Sequence, residues 1–289
     1  MIRLGVFLLT ALLATACLGA EAPPMENLDV AYGPNPAQRL DIYQPAGGGK
    51  KRPAVLWIHG GGWGEGDKRN PPNSIGALAP ALTQRGFVAV SCNYRLLPDH
   101  HHPAQLDDVQ RVMRWLRAHA REYRIDPKRI GAVGISAGGH LVCCLAVRET
   151  RSGQGDELDK YSSKAQAVVS INGVTDMVTN TPEMTTPPLT GAMAALAGGN
   201  IPEAAQNLAD ASPIRFVGKK SAPTLFIIGT GDTLVPNAQS QRMAEALKAK
   251  GVHTEVVALE GAQHAIFPSI SPPTMDATLD FMQKQLAAK

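Results

Sequence analysis

The sequence has little of what would mark a disulfide-rich or nucleic-acid-binding protein. It contains 4 cysteines in 289 residues, and their irregular spacing argues against a disulfide framework. Charged residues make up only 18%, the formal net charge is +3, and no basic run resembles a nucleic-acid-binding surface. There are no internal repeats. With 44% hydrophobic residues, a chain of this length can bury one large core, as undivided α/β folds do.

An apolar run lies at the N-terminus, but it is too short to span a bilayer. Met1-Ile2-Arg3 precede this run, which extends from Leu4 to Ala16 and is followed by small residues. The pattern is typical of a secretory signal peptide. We therefore predict a leader over residues 1–22 and a mature domain over residues 23–289 that works outside the cytoplasm.

Two processing routes fit this leader. Ala14-Thr15-Ala16-Cys17 resembles a bacterial lipobox, in which Cys17 is lipidated and anchors the mature chain to the membrane. The alternative is ordinary cleavage at Ala16, Ala20 or Ala22, which gives a soluble exported protein, periplasmic or secreted.

The other cysteines are predicted to be buried thiols. Cys92 lies in an apolar strand pattern, and Cys143 and Cys144 lie in a helical pattern. Neighbouring positions on a helix do not converge on one point, so the adjacent pair is not expected to bind zinc.

Strand and helix patterns alternate along most of the chain. Apolar runs typical of buried strands cover residues 54–58, 87–92, 130–135, 167–171, 224–228 and 255–259. Helical patterns cover residues 75–84, 103–119, 137–146, 238–250 and 274–286. This alternation predicts an α/β fold with a doubly wound, mainly parallel sheet. Residues 172–215 break the rhythm, and we interpret them as an insertion over the sheet that forms a small lid.

One serine lies between a predicted strand and a predicted helix. Gly134-Ile135-Ser136-Ala137-Gly138 fits the pattern G-x-S-x-G, in which the serine occupies a sharp turn at the carboxyl end of a strand. The flanking glycines avoid side-chain clashes in so tight a bend. We predict that Ser136 is a nucleophile and that the N–H of Ala137 points at an oxyanion formed beside it.

Partners for this serine follow two later strands. Asp232 comes after the strand at residues 224–228, and His264 comes after the strand at residues 255–259. The chain order Ser136, Asp232, His264 is that of an α/β-hydrolase catalytic triad. Asp176, after the strand at residues 167–171, is an alternative partner for the histidine, although capping or turn formation is its more natural role.

A glycine run follows the strand at residues 54–58. In His59-Gly60-Gly61-Gly62-Trp63, backbone N–H groups can approach a ligand without steric interference. We predict that Gly61 and Gly62, together with Ala137, form an oxyanion hole. His59 is expected to orient its own loop, and Trp63 either forms a wall of the acyl pocket or packs in the core.

These motifs resemble those of α/β-hydrolase esterases. The motifs that carry the resemblance are His59-Gly60-Gly61-Gly62-Trp63, Asn93-Tyr94-Arg95-Leu96, Gly134-Ile135-Ser136-Ala137-Gly138-Gly139-His140, Gly229-Thr230-Gly231-Asp232 and His264. They are similar to the hormone-sensitive-lipase-like branch, and especially to exported feruloyl or acetyl-xylan esterases, over residues 27–285. The resemblance implies a serine carboxylic-ester hydrolase that needs neither metal nor cofactor. It also implies short or aromatic acyl substrates, such as acetyl or feruloyl groups on plant or algal polysaccharide.

Other readings of the sequence remain open. The chain could instead be an arylformamidase-like amidase or a peptidase of the same fold. It could also be a catalytically silent binding protein of the cell envelope. Arg95 could bind a substrate carboxylate, although the resemblance implies a structural turn in which Asp107 or Asp108 pairs with it. His100-His101-His102 is not expected to bind a metal, because adjacent histidines in a loop rarely converge on one ion. One basic row is interpreted as a solvated helix face, and it comprises Arg111, Arg114, Arg117 and Arg121.

Overall fold

A computed structural model describes residues 25–47, 49–69, 75–76, 78–149, 156–179, 181–199, 202–264 and 272–288. The predicted signal peptide, including Cys17, lies outside these residues. Within the part that is described, no helix is both long enough and apolar enough to cross a membrane.

Eight strands of the described chain form a single sheet. They are β1 (Met25–Ala31), β2 (Arg39–Gln44), β3 (Arg52–Ile58), β4 (Val88–Cys92), β5 (Ile125–Ile135), β6 (Val168–Ile171), β7 (Thr224–Gly229) and β8 (Thr254–Leu259). The spatial order is β1-β2-β4-β3-β5-β6-β7-β8. Only the β1–β2 and β2–β4 pairs are antiparallel, and all pairs from β4 to β8 are parallel. The predicted mainly parallel α/β sheet is confirmed.

Helices cover both faces of this sheet. The described helices are α1 (Leu78–Gln84), α2 (Ala104–Ala118), α3 (Ala137–Val147), α4 (Pro187–Leu196), α5 (Ala204–Asp210), α6 (Ala238–Ala249) and α7 (Pro272–Gln285). Strand β3 shows how the two layers are built, because side chains alternate between the faces of a strand. Leu56 and Ile58 pack in the core cluster with α2 and α3, whereas Val55 and Trp57 pack in the cluster with α1 and α7.

The register of the parallel strands brings their carboxyl ends to one edge. Ile58 of β3 pairs with Gly134 of β5, and Ile135 pairs with Ile171 of β6. At the far side, Gly229 of β7 pairs with Leu259 of β8. The loops that follow these strands therefore emerge together, although they are far apart in the sequence.

The predicted insertion contains two short helices. Helices α4 and α5 lie within residues 172–215, and a 3₁₀ helix begins there at Pro213. No strand occurs in the described part of this segment. Its function as a lid stays a prediction.

The three described cysteines are buried free thiols, as predicted. Cys92, Cys143 and Cys144 are each fully enclosed, and burial raises the pKa of all three thiols, that of Cys143 to about 12.

The predicted solvated basic row, which ends just after α2, is wrong for two of its arginines. Arg114 is 3% exposed and Arg117 is 9% exposed, whereas Arg121 is exposed. The reason is tertiary, since the segment that precedes β6 folds over this side of α2. The Arg117 guanidinium donates hydrogen bonds to the backbone oxygens of Met113, Pro127, Ser162 and Lys164 and to Oε1 of Gln166.

We expect Arg117→Ala to lower the free energy of unfolding by about 3 kcal/mol, because it leaves several buried oxygens without donors. Urea unfolding monitored by circular dichroism measures this change. Arg121→Ala is the matched control and should change stability by less than about 0.5 kcal/mol. Equal effects of the two substitutions would show that the buried hydrogen bonds of Arg117 contribute nothing.

Candidate active site

Ser136 lies in the turn between β5 and α3. Its backbone has φ 54° and ψ −118°, a left-handed φ that is unfavourable for a residue with a side chain. The backbone N–H of Ser136 donates to the carbonyl of Ile171 at 2.8 Å, and its carbonyl accepts the N–H of His140 at 2.9 Å. The sheet and the helix together hold the strained turn and present the hydroxyl at the carboxyl edge.

The glycines on either side of Ser136 are required by close backbone packing. A Cβ at Gly134 would collide with the carbonyl of Gly138, and a Cβ at Gly138 would collide with the carbonyl of Ile58 in β3. A larger residue at either position would push α3 away from the sheet.

The structure brings the three predicted triad residues into one hydrogen-bonded chain. The Ser136 hydroxyl lies 3.0 Å from Nε2 of His264, and Nδ1 of His264 lies 2.7 Å from Oδ2 of Asp232. The carboxylate requires the proton on Nδ1, which leaves Nε2 free to accept the serine proton. The Asp232 side chain is fully buried and that of His264 is 20% exposed.

Asp232 is itself held by its loop. Its other oxygen, Oδ1, accepts the backbone N–H groups of Leu234 and Val235 at 2.8 and 2.9 Å. Asp176, the alternative partner, instead accepts the N–H groups of Val178 and Thr179, which holds the pKa of its carboxyl below the usual value despite burial. Asp176 therefore serves the turn, and Asp232 is the carboxylate on the histidine.

Asn172 was not identified from the sequence, yet it contacts both loops beside the serine. Its Nδ2 donates to the carbonyl of His264 at 3.1 Å, and its Oδ1 accepts the N–H of Gly229 at 3.0 Å. The residue is 2% exposed and has a φ of 46°, which asparagine tolerates better than most residues. The sequence signal that could have identified Asn172 is an asparagine placed directly after a buried strand.

The glycine loop after β3 lies against the serine. A Cβ built on Gly60 would lie 3.2 Å from Cβ of Ser136, so this loop and the turn at Ser136 are in close contact at Gly60. Both have positive φ, 111° and 55°, and a Cβ on Gly61 would collide with the carbonyl of Glu65. Ala137 directly follows Ser136 and begins α3. The oxyanion hole of Gly61, Gly62 and Ala137 stays a prediction.

Trp63, the last residue of the glycine run that begins at His59, lies in the core. It is 1% exposed, and its indole N–H donates to Nδ1 of His140 at 3.1 Å. This placement favours the packing alternative over a pocket wall.

The Asn93-Tyr94-Arg95 segment supports the glycine loop. Asn93 Oδ1 accepts the N–H of Lys68 at 2.6 Å, and the Tyr94 hydroxyl donates to the carbonyl of His59 at 3.0 Å. The rings of Tyr94 and His59 stack with centroids 4.3 Å apart, and burial lowers the pKa of His59. Burial thus favours the neutral ring of His59, and its Nδ1 donates to the carbonyl of Gly60 in its own loop at 2.7 Å.

Arg95 and the histidine run have structural partners. Arg95 pairs with the buried carboxylate of Asp108 at 2.7 Å, one of the two partners expected for it. His102 donates to Asp210 at 2.8 Å, and His101 donates to the carbonyl of Ala195 at 2.9 Å. These two histidines therefore attach the insertion to the start of α2.

The fold and this serine–histidine–aspartate arrangement define the class of α/β-hydrolases. Residues 40–247 match the family model BD-FAE, and the chain belongs to that family. The predicted resemblance to α/β-hydrolase esterases is confirmed.

Relatives and structural neighbours carry esterase names. Esterase LipQ of Mycobacterium tuberculosis is 30% identical over 246 residues, which are 83% of this chain and 57% of LipQ. The structure of a carbohydrate esterase from gut microbiota is 26% identical in sequence, with a TM-score of 0.78. The match covers 93% of this chain and 98% of that esterase. The structure of a butyrate-bound esterase of Thermogutta terrifontis is also 26% identical, with a TM-score of 0.72. The match covers 87% of this chain and 92% of that esterase. The chain spans about half the length of the curated relatives it matches.

We expect Asn172→Gly to lower kcat about tenfold with little change in KM, because it removes both side-chain bonds while glycine accommodates the positive φ. Asn172→Asp keeps the acceptor for Gly229 but places a buried carboxylate oxygen against the carbonyl of His264, so it should lose at least as much activity. Steady-state kinetics on p-nitrophenyl acetate separates kcat from KM. If folded Asn172→Gly keeps the kcat of the unaltered protein, Asn172 does not position His264.

Proposed function

We propose that this protein is a serine carboxylesterase. The observation that carries the proposal is the chain of hydrogen bonds from Ser136 through His264 to Asp232, with distances of 3.0 and 2.7 Å. The esterase names of the relatives and the BD-FAE family support the same reaction class.

In the first half of the reaction, Ser136 Oγ attacks the ester carbonyl carbon while its proton passes to Nε2 of His264. Negative charge develops on the carbonyl oxygen, and the N–H groups of Gly61, Gly62 and Ala137 stabilise it. Such donors are effective because they are held in place before the charge appears, and losing one typically costs about 3 kcal/mol.

The bond from the carbonyl carbon to the alcohol oxygen then breaks, and the alcohol takes the proton from His264. The acyl group remains as an ester on Ser136. Water then attacks this ester and gives its proton to His264, and the acid departs as the proton returns to Ser136. Asp232 orients the ring throughout and stabilises the imidazolium that forms.

The proposed substrates are esters of short acyl groups on carbohydrate, with acetyl as the first choice and feruloyl as the aromatic alternative. Two neighbours support this choice, one named a carbohydrate esterase and one crystallised with butyrate. A silent envelope binding protein would fail both tests below. An amidase or peptidase of the same fold would take the label but would release neither acetate from acetylated xylan nor ferulate from methyl ferulate.

We also propose that the protein is exported, either lipidated on Cys17 or cleaved to a soluble form. The support is the sequence pattern of residues 1–22. Mass spectrometry of the mature N-terminus decides between the two routes, and a mature chain that retains Met1 would contradict export.

We expect Ser136→Ala to lower kcat for p-nitrophenyl acetate by at least about 10⁴-fold, since it removes the nucleophile while leaving the fold intact. A fluorophosphonate probe should label the unaltered protein on Ser136 and should not label the variant. The Thermogutta terrifontis esterase is phosphonylated by sarin, which makes this class of probe suitable. Folded protein that neither takes the label nor hydrolyses esters would favour the binding protein.

A substrate panel on the same two proteins tests the acyl preference. We expect kcat/KM to fall from acetyl and butyryl to octanoyl p-nitrophenyl esters, and acetate to be released from acetylated xylan. An optimum at long chains would contradict short acyl substrates without affecting the esterase proposal. Faster cleavage of methyl ferulate than of acetyl esters would select the aromatic alternative.

A further inference from the structure

The two sides of the proposed oxyanion hole come from different elements. Gly61 and Gly62 lie in the loop after β3, whereas Ala137 lies at the start of α3. Because a misplacement of about 1 Å can cost about 10²-fold in rate, the relative position of these elements matters. A side chain that joins them directly would act on the geometry of the hole.

His140 is the side chain that makes this connection. It lies in the first turn of α3, and its N–H donates to the Ser136 carbonyl at 2.9 Å. Its Nδ1 lies 3.1 Å from the indole Nε1 of Trp63, the residue that directly follows Gly62. The two rings meet edge to face with centroids 5.4 Å apart.

The two ring nitrogens of His140 have different partners. An indole N–H can only donate, so Nδ1 of His140 must be the acceptor, and the ring proton is on Nε2. That proton is donated to the carbonyl of Ala211 in the insertion, at 2.7 Å. The Cys144 Sγ lies 3.4 Å from the same nitrogen.

The environment keeps this arrangement in one protonation state. His140 is 1% exposed, and burial lowers its pKa to about 3. A protonated ring would lose the acceptor that Trp63 requires. The neutral form is therefore present across the pH range in which esterases work.

We propose that His140 is a positioning residue that sets the oxyanion hole by holding Trp63, and that the same ring ties the insertion to it through Ala211. The inference rests on the proposed esterase function. Trp63 can pass the position of His140 on to Gly62 because its backbone is also held: its carbonyl accepts the N–H of Leu97 at 2.9 Å. Neither His140 nor Trp63 takes part in proton transfer.

Two substitutions at His140 separate its two hydrogen bonds. His140→Gln can keep a donor near Nε2 for Ala211 but loses the acceptor for Trp63, and kcat should fall about tenfold. His140→Asn keeps an acceptor near Nδ1, and kcat should fall less than about threefold. Rates are normalised to the endpoint of fluorophosphonate labelling, so that misfolded protein does not count.

Trp63→Phe removes the indole N–H and keeps an aromatic ring in the core. We expect kcat to fall about tenfold with little change in KM. The double variant with His140→Gln should be no worse than either single variant. Trp115→Phe is the matched control, because Trp115 is a buried tryptophan on α2 that stacks on His119, and it should leave kcat unchanged.

A trifluoromethyl ketone reports on the hole itself, since it adds to the serine and forms an oxyanion. Its Ki should rise in the His140→Gln and Trp63→Phe variants by the same factor as kcat/KM falls. The pH profile of kcat should keep its shape, because His140 is neutral throughout.

The outcomes separate this inference from the proposed function. Protein with unaltered sequence that hydrolyses no ester overturns both. Active protein in which Trp63→Phe keeps full kcat and an unchanged Ki overturns the positioning role alone. Equal losses in His140→Asn and His140→Gln would also overturn it, because the acceptor for Trp63 would then be irrelevant.

Discussion

The close passage of α3 over the end of β3 is the constraint on which the site depends. Gly138 lies against the carbonyl of Ile58, and Gly134 lies against Gly138, with no room for a Cβ at either glycine. Between these two glycines, Ser136 has a left-handed φ of 54°. The unfavourable backbone is maintained because the sheet and helix hydrogen bonds on both sides of it leave no relaxed alternative. Ser136 and the start of α3 are therefore held close to the end of β3 by this packing contact.

The histidines show how environment assigns different tasks to one residue type. His264 is partly exposed and lies between the Ser136 hydroxyl and the buried carboxylate of Asp232, as the proposed general base requires. His140 and His59 are enclosed, and burial lowers the pKa of both. Enclosed neutral rings cannot act as the base, but they can hold loops with fixed donors and acceptors. The loops around the serine are thus held by histidines whose burial favours the neutral ring.

Prediction from the sequence succeeded where a pattern is local. The G-x-S-x-G turn, the glycine run after β3 and the placement of Asp232 and His264 after successive strands all follow from short segments and from chain order. The parallel sheet likewise follows from alternating strand and helix patterns. The geometry then brings Ser136, Asp232 and His264 within hydrogen-bond distance of one another. Their separation in the chain did not prevent this prediction, because each of the three residues follows the end of a parallel strand.

The sequence by itself therefore determined the class of fold, the candidate nucleophile and the order of its partners. Only the tertiary structure decided which polar side chains are buried and what they contact. Helical periodicity placed Arg117 on a solvated face, but the segment before β6 covers it and supplies carbonyl acceptors. Asn172 and His140 gained their contacts from loops distant in the chain. The physical reason is that burial and hydrogen bonding of a side chain depend on neighbours that packing brings together, and no local pattern encodes them.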